Sequence, residues 1–199
     1  PFCPPTLLKK SIIKHMDYNS YLPVQGLESL RESISNHYNK LHNISVDKND
    51  VIIGPGSKSL LCFLNLSIDK DLYIIAPYWV SYYNQMNLFN KKCNVVRTIF
   101  ENKWKIKPNQ IRIMNNDSYL LINNPNNPTG MVYTYSEMKE IVSICKEKNI
   151  TIIADEIYQY LYYKNNKGSL SFLELYPENT IITNGLSKWC HSGGYRLGY

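Results

Sequence analysis

The stretch ITIIADEIY (residues 150–158) joins an uninterrupted apolar run to a pair of acidic residues. A strand with one face in water alternates apolar and polar residues, whereas this run does not, so it predicts a strand covered on both faces. Asp155 ends the run, and its carboxylate would be costly to bury without a cationic partner. Tyr158 is expected beside it on one turn of a helix. A structural cap is the alternative role for Asp155.

Similar short apolar runs recur along the chain and are separated by helical stretches. Strands are predicted at residues 51–54, 72–77, 94–99, 118–124, 150–155 and 180–183. Helices are predicted over residues 27–42, over 60–66, from after the strand at 72–77 to about residue 89, and over 136–147. The first of them has an apolar face of Leu27, Leu30, Ile34 and Tyr38. This alternation predicts an α/β fold of three layers, a mostly parallel sheet between two layers of helices. We find no internal repeat or linker, so residues 1–199 are predicted to form one domain.

Composition limits the classes of function. The net charge of +6 comes from lysines that are scattered among acidic residues, which favours a solvated surface over a nucleic-acid interface. Apolar runs stay well short of the roughly 20 residues that a membrane span needs, and we see no secretory leader. Five widely separated cysteines without a C-x-x-C pair argue against a metal site and a disulfide framework. We therefore expect a cytoplasmic protein.

In open sheets of this kind, ligands bind beyond the carboxyl ends of the strands. The segment GPGSKS (residues 54–59) follows a predicted strand and opens a helix, so the backbone N–H groups of Gly56, Ser57 and Lys58 could hold a phosphate. Its spacing matches neither a Walker loop nor a dinucleotide fingerprint. An ordinary strand-to-helix turn is the alternative.

Two further segments follow predicted strands. Trp79, in PYWVSYY, could stack on a planar ring or belong to the core, and the core is favoured when Trp79 is considered alone. The loop NNPNNPTG (residues 123–130) contains two Asn-Pro steps, which would make it rigid enough to present an Asn amide at a fixed point. A simple turn is the alternative for this loop.

The last sixteen residues, NGLSKWCHSGGYRLGY, contain a lysine among apolar neighbours. A partly desolvated amine near other cations has a lowered pKa, as a nucleophile needs, so Lys188 is either such an amine or an ordinary exposed lysine. Arg196 follows two glycines that permit close approach of the backbone, and its guanidinium suits a phosphate.

The order and spacing of these segments are more specific than any one of them. Asn127 precedes Asp155 by 28 residues, Asp155 precedes Lys188 by 33, and Lys188 precedes Arg196 by 8. In this arrangement NNPNNPTG, ADEIY and LSKWCHSGGYRLGY closely resemble the large domain of the class I/II, fold-type I, pyridoxal-phosphate-dependent aminotransferases. YLPVQGLESLRESI (residues 21–34) and GPGSKSL are similar to the corresponding segments, and APYWVSY resembles the bacterial aspartate-aminotransferase-like subgroup. The resemblance covers nearly the whole chain.

The resemblance implies pyridoxal 5'-phosphate as the cofactor and a transaminase that moves an amino group between an amino acid and a 2-oxo acid. Lys188 would bind the cofactor covalently and then act as the general base and acid. Asp155 would pair with the pyridine nitrogen, which would be its missing cation. Asn127 and Tyr158 would hydrogen-bond the 3-oxygen of the ring.

The resemblance also assigns the remaining contacts of the cofactor. Trp79 would stack on the ring, which reverses the preference for a core role, and Tyr21 would reach the phosphate of the neighbouring subunit, implying a homodimer. The phosphate itself would be held by Gly56, Ser57, Lys58 and Arg196.

Two features depart from the family pattern. Gly185 stands where many members have a serine whose hydroxyl helps to bind phosphate, and the arginine for the substrate carboxylate belongs to a C-terminal small domain that this sequence lacks, as it lacks the N-terminal arm. We therefore expect these 199 residues alone to be inactive in transamination. Two other functions use the same fold: the effector-binding domain of a transcription regulator, and a lyase or synthase.

Overall fold

A computed structural model describes residues 2–163 and 170–199 of the chain. Five parallel strands form one sheet in the order β2-β1-β3-β4-β5. The strands are β1 (Leu72–Ala76), β2 (Cys93–Arg97), β3 (Tyr119–Asn123), β4 (Thr151–Asp155) and β5 (Thr180–Thr183). The prediction of a largely parallel sheet and of these five strands is confirmed.

Helices cover both faces of the sheet, as the strands without alternation predict. The α-helices of the described residues are α1 (Thr6–Lys14), α2 (Glu28–His42), α3 (Ser57–Ser67), α4 (Ser81–Leu88), α5 (Pro108–Arg112) and α6 (Tyr135–Glu147). On one face, Leu120 and Ile152 pack with α5 and α6, and on the other Leu121 and Ile153 pack with α3 and α4. Neighbouring residues of one strand thus enter opposite core clusters, and burial of apolar surface on both faces stabilises the three layers.

One predicted strand is absent. Of residues 51–54 only Gly54 is paired, in an antiparallel bridge with Gly198 in which each N–H donates to the other's carbonyl at 2.9 Å. The N–H of Ile53 donates to the carbonyl of Gln25 at 2.9 Å, but this single bond does not extend into a ladder, and an apolar cavity of about 730 Å³ lies between Val51 and β5.

The buried face of α2 also differs from the prediction. Tyr38 is buried as expected, but Leu27 is exposed and Leu30 and Ile34 are only partly buried. The buried positions are instead Arg31, Ser35, Tyr38 and His42. Polar side chains occupy this face because hydrogen bonds satisfy them there: Ser35 donates to the carbonyl of Val46 at 2.6 Å. Counting apolar residues alone therefore gave the wrong face.

The segment after β4 is a turn rather than the predicted helical turn. The N–H of Gln159 donates to the carbonyl of Glu156 at 2.8 Å, and that of Leu161 to Tyr158 at 2.8 Å, so bonds of the i to i+3 type replace the helical ladder. None of the helices described in residues 2–163 and 170–199 is long and apolar enough to cross a membrane.

Candidate active site

A cavity of about 270 Å³ opens at the carboxyl end of the sheet, beside the N-terminus of α3. It contains nine of the ten residues that the sequence predicts for the site. These are Gly56, Ser57, Lys58, Trp79, Asn127, Asp155, Tyr158, Lys188 and Arg196. Five segments far apart in the chain therefore meet at one place, as expected for polar residues that follow parallel strands.

Asp155 ends β4 and is buried at 3% exposure. Its Oδ2 accepts a hydrogen bond from the Tyr82 hydroxyl at 2.6 Å, and its Oδ1 accepts from the N–H of Ile157 at 3.3 Å. Burial raises the pKa of Asp155, while these bonds and the nearby charge of Lys188 act in the opposite direction. Among the described residues no lysine, arginine or histidine forms an ion pair with it. This carboxylate can therefore receive a cationic N–H donor from a ligand.

Tyr82, which the sequence reasoning missed, supplies the shortest of these bonds. It lies on α4 three residues after Trp79, and the two rings meet edge to face with centroids 5.5 Å apart. Burial, followed by the charge of Asp155, holds the pKa of Tyr82 well above its usual range, so the phenol remains a donor. No local pattern could have identified it, because its partner Asp155 lies 73 residues away in the chain.

Trp79 packs against the core and also faces the cavity. Its ring is partly buried and packs against the core cluster beneath α3 and α4, and it also lines the cavity. The Lys58 ammonium lies 5.6 Å from the ring centroid. An aromatic surface is thus available to a planar ligand at the entrance to the site.

An amide and a phenol meet on another wall of the cavity. Nδ2 of Asn127 donates to the hydroxyl of Tyr158 at 3.4 Å. The Asn127 backbone N–H donates to Oδ1 of Asn123 at 2.6 Å, which fixes the loop to the end of β3. Asn123 is buried and was not predicted from the sequence. Together Asn127 and Tyr158 can donate two hydrogen bonds to one oxygen atom.

The N-terminus of α3 forms one end of the cavity. Gly56 caps this helix with φ +90°, and the N–H groups of Ser57 and Lys58 have no acceptor within the described part of the chain. Arg196 lies against the cap, where Nη1 donates to the carbonyl of Gly193 at 2.9 Å. A Cβ on Gly56 would lie 3.0 Å from Cζ of Arg196, so the glycine makes room for the guanidinium. Free N–H groups, a helix dipole and a guanidinium favour a phosphate here.

The structure explains why position 185, which departs from the family pattern, is a glycine. A Cβ at this position would lie 2.6 Å from the carbonyl oxygen of Leu197, and Gly185 forms an antiparallel bridge with Gly198. The close approach of these two backbones therefore leaves no room for a side chain. Ser187, two residues on, lines the cavity and carries a hydroxyl that the prediction did not include.

Lys188 lies in the cavity but is exposed, contrary to the desolvation that its apolar neighbours predict. Trp189 is itself 38% exposed, and its ring packs on Tyr160 at a centroid distance of 5.0 Å rather than over the lysine. The Lys188 ammonium instead lies 5.4 Å from the centroid of the Tyr158 ring. Tyr21 is fully exposed and is the one predicted site residue outside the cavity.

The amino-acid sequence matches one protein family over almost its whole length. The family model for aminotransferase class I and II covers residues 3–199. The aspartate aminotransferase of Bacillus subtilis is 35% identical over 190 residues, which are 92% of this chain and 48% of that protein. The asparagine–oxo-acid transaminase of Streptococcus mutans is 32% identical over 186 residues, or 90% of this chain and 47% of that protein.

Solved structures show the same relationship. Thermus thermophilus aspartate aminotransferase with maleate has a TM-score of 0.91 and 26% identity, covering 99% of this chain and 53% of that one. An alanine aminotransferase from Pyrococcus furiosus has a TM-score of 0.91 and 28% identity, with 99% and 52% covered. The chain thus spans about half the length of the relatives it matches. It belongs to the class I and II aminotransferase family.

Proposed function

We propose that this protein is a pyridoxal-phosphate-dependent transaminase that moves an amino group between an amino acid and a 2-oxo acid, and that residues 1–199 are its cofactor-binding domain. One observation carries the proposal: an amine, a buried carboxylate with no ionic partner among the described residues, and a guanidinium at a helix N-terminus line a single cavity. They are Lys188, Asp155 and Arg196. The three groups complement the aldehyde, the ring nitrogen and the phosphate of the cofactor.

The donor set of the cavity fits this cofactor at each end. The free N–H groups of Ser57 and Lys58 and the guanidinium of Arg196 would hold the phosphate, and Trp79 would cover one face of the ring. Asn127 and Tyr158 lie within hydrogen-bond distance of each other, so both can reach one ring oxygen. When bound, pyridoxal phosphate supplies an electron-withdrawing ring that stabilises negative charge at the α-carbon of the substrate.

Two residues of this chain would control protons. Asp155, kept in place by Tyr82 and the N–H of Ile157, would hold a proton on the ring nitrogen, since its buried carboxylate gains a cation there. Lys188 would attach the cofactor through its amine and, once released, would remove and return the proton at the substrate α-carbon. Its exposed side chain and its position beside Tyr158 leave it free to move between these roles.

Substrate, assembly and compartment belong to the same proposal. Relatives are named for aspartate, asparagine, alanine and prephenate, so we propose an amino-acid donor and a 2-oxo-acid acceptor without narrowing either. We propose a homodimer in which the exposed Tyr21 reaches the phosphate of the neighbouring subunit. All five cysteines are free thiols, which supports the cytoplasm as the compartment. The regulator and lyase or synthase alternatives are not favoured, because the relatives are aminotransferases.

The decisive experiment is an absorption scan of the full-length protein purified with pyridoxal phosphate, beside Lys188→Ala and the control Lys9→Ala from the exposed helix α1. We expect a visible band that borohydride removes in the wild type and in the control, and no such band in Lys188→Ala. An unchanged band in Lys188→Ala would refute the role of this lysine. A panel of amino donors with 2-oxoglutarate would then identify the substrate.

A further inference from the structure

Behind the cavity, a chain of buried polar side chains joins the two loops that carry the proposed catalytic groups. Asn184 follows β5 and precedes Lys188 by four residues, while Gln159 directly follows Tyr158. Both side chains are buried, at 0% and 1% exposure. Nδ2 of Asn184 donates to Oε1 of Gln159 at 3.0 Å, which is a direct side-chain bond between the two loops.

The hydrogen bonds around Asn184 fix the direction of its amide. Its Oδ1 accepts from the N–H of Gly185 at 2.8 Å, so its NH₂ group must face the interior. There it donates to the Tyr38 hydroxyl at 2.9 Å as well as to Gln159. If the amide were reversed, its NH₂ group would face the Gly185 N–H and two buried donors would be left without acceptors. The backbone just before Lys188 therefore determines which atom of Asn184 meets Gln159.

The same reasoning fixes the next members of the chain. Gln159 presents Oε1 to Asn184, so its Nε2 faces the imidazole of His42, with 2.8 Å between Nε2 of each residue. That ring nitrogen must be the acceptor, so the proton of the neutral imidazole is on Nδ1, which donates to Oε1 of Glu174 at 2.6 Å. Each bond has one permitted direction, and donation runs from the Gly185 N–H through Asn184, Gln159 and His42 to the Glu174 carboxylate. A network of this kind resists rotation of any single side chain.

We propose that Gln159 and Asn184, oriented by His42 and Glu174, are positioning residues that hold the Lys188 loop in register with the Asp155–Tyr158 loop. The inference rests on the proposed function, because it concerns the placement of the amine assigned there. None of the four residues lines the cavity, so they act on Lys188 only through the backbone. Reactive groups need placement to within a fraction of an ångström, which exposed loops do not provide by themselves.

The test measures the reactivity of Lys188 without any cofactor. The full-length protein is acetylated with limiting acetic anhydride, and peptide mass spectrometry gives the rate at Lys188 relative to the exposed Lys9. The variants are Gln159→Leu, Asn184→Ala and the double variant. Asn65→Ala is the matched control, because Asn65 donates to Gln85 at 2.9 Å in a second buried amide pair, between α3 and α4. Thermal melting of each variant reports folding.

We expect each single variant to change the relative rate at Lys188 by about threefold or more, and the double variant by no more than the larger single effect, since both remove one shared contact. Asn65→Ala should leave this rate unchanged while lowering the melting temperature. Gln159→Met keeps an unbranched side chain of similar length but not the amide, so it should change the rate at Lys188 as Gln159→Leu does, which a loss of packing alone would not explain.

Three results would overturn the inference: unchanged reactivity of Lys188 in both single variants, multiplied effects in the double variant, or an equal change in Asn65→Ala. If Asn184→Ala does not fold, Gln159→Leu and Gln159→Met decide alone, and a wild-type rate at Lys188 in Gln159→Met would reject the inference. Failure here is distinct from failure of the proposed function, which the borohydride-sensitive band of Lys188 tests separately.

Discussion

Replacing Gly56 with alanine should weaken binding of the cofactor phosphate and leave binding of the ring unaffected. The added Cβ would lie 3.0 Å from Cζ of Arg196 and closer still to Nη2. Non-bonded carbon atoms prefer about 3.5–4.0 Å, so the guanidinium must move by about 0.5–1 Å. A hydrogen bond from a charged donor contributes about 1.5–3 kcal/mol, so its loss corresponds to about a 10- to 100-fold rise in Kd.

The chain offers a control for the backbone. Gly56 has φ +90° with ψ +153°, a region that only glycine readily occupies, and Gly130 has φ +70°, so alanine is strained at both positions. A Cβ on Gly130, however, would meet nothing within 4 Å. Gly130→Ala therefore introduces backbone strain without displacing Arg196, and its affinity for the cofactor should stay near that of the wild type.

The assay is a titration of tryptophan fluorescence with pyridoxal 5'-phosphate and, separately, with pyridoxal, which lacks the phosphate. Gly56→Ala should lose affinity for the phosphorylated ligand alone. Equal losses for both ligands, or equal losses in Gly56→Ala and Gly130→Ala, would refute the placement of the phosphate between Arg196 and the N-terminus of α3.

Three further outcomes follow from the buried acidic and phenolic groups. Asp155→Asn should still give a borohydride-sensitive band but lower the turnover of the full-length enzyme by about 100-fold or more, because the ring nitrogen loses its carboxylate; near-normal turnover would contradict that role. Tyr82→Phe removes a bond that lowers the pKa of Asp155, so the acidic limb of the pH profile of cofactor binding should move to higher pH, and an unmoved limb would argue against the contact. Burial raises the pKa of Glu156 to about 8, so the folded state holds a proton that the unfolded state releases near its ordinary pKa of 4.5. The melting temperature of the wild type should therefore fall as pH rises from about 5 to 8, and Glu156→Gln should reduce that fall; equal slopes would reject the assignment.

The helix N-terminus at one end of the cavity was predictable from local sequence, because backbone conformation and hydrogen bonding there depend on few neighbours. Gly56, Ser57 and Lys58 open a helix directly after an apolar run, and the structure has α3 beginning at Ser57. Likewise the apolar runs without alternation predicted strands buried on both faces, and β3 and β4 are such strands. Placement of nine predicted residues in one cavity followed from the carboxyl ends of parallel strands meeting at one edge.

Long-range pairing decided what local pattern could not. Residues 51–54 have the composition of a strand, but a strand requires a ladder of backbone pairs, and in this run only Gly54 forms a β-bridge. The buried face of α2 depends on which polar groups lie opposite it, so Ser35 and His42 are buried while Leu27 is exposed. Tyr82 reaches Asp155 from 73 residues away, and no periodicity in the sequence encodes that contact.

The sequence by itself therefore determined the fold class, the family and the residue types of the site, since these follow from hydrophobic pattern and from motifs whose spacing is fixed along the chain. Only the tertiary structure decided how those residues are supported. Three features depend on groups brought together from distant segments of the chain. They are the exposure of Lys188, the close approach of Gly185 to Leu197, and the directed hydrogen bonds that join Asn184 to Glu174. The physical reason is that burial and hydrogen-bond direction are properties of a packed environment, whereas propensity and spacing are properties of the chain.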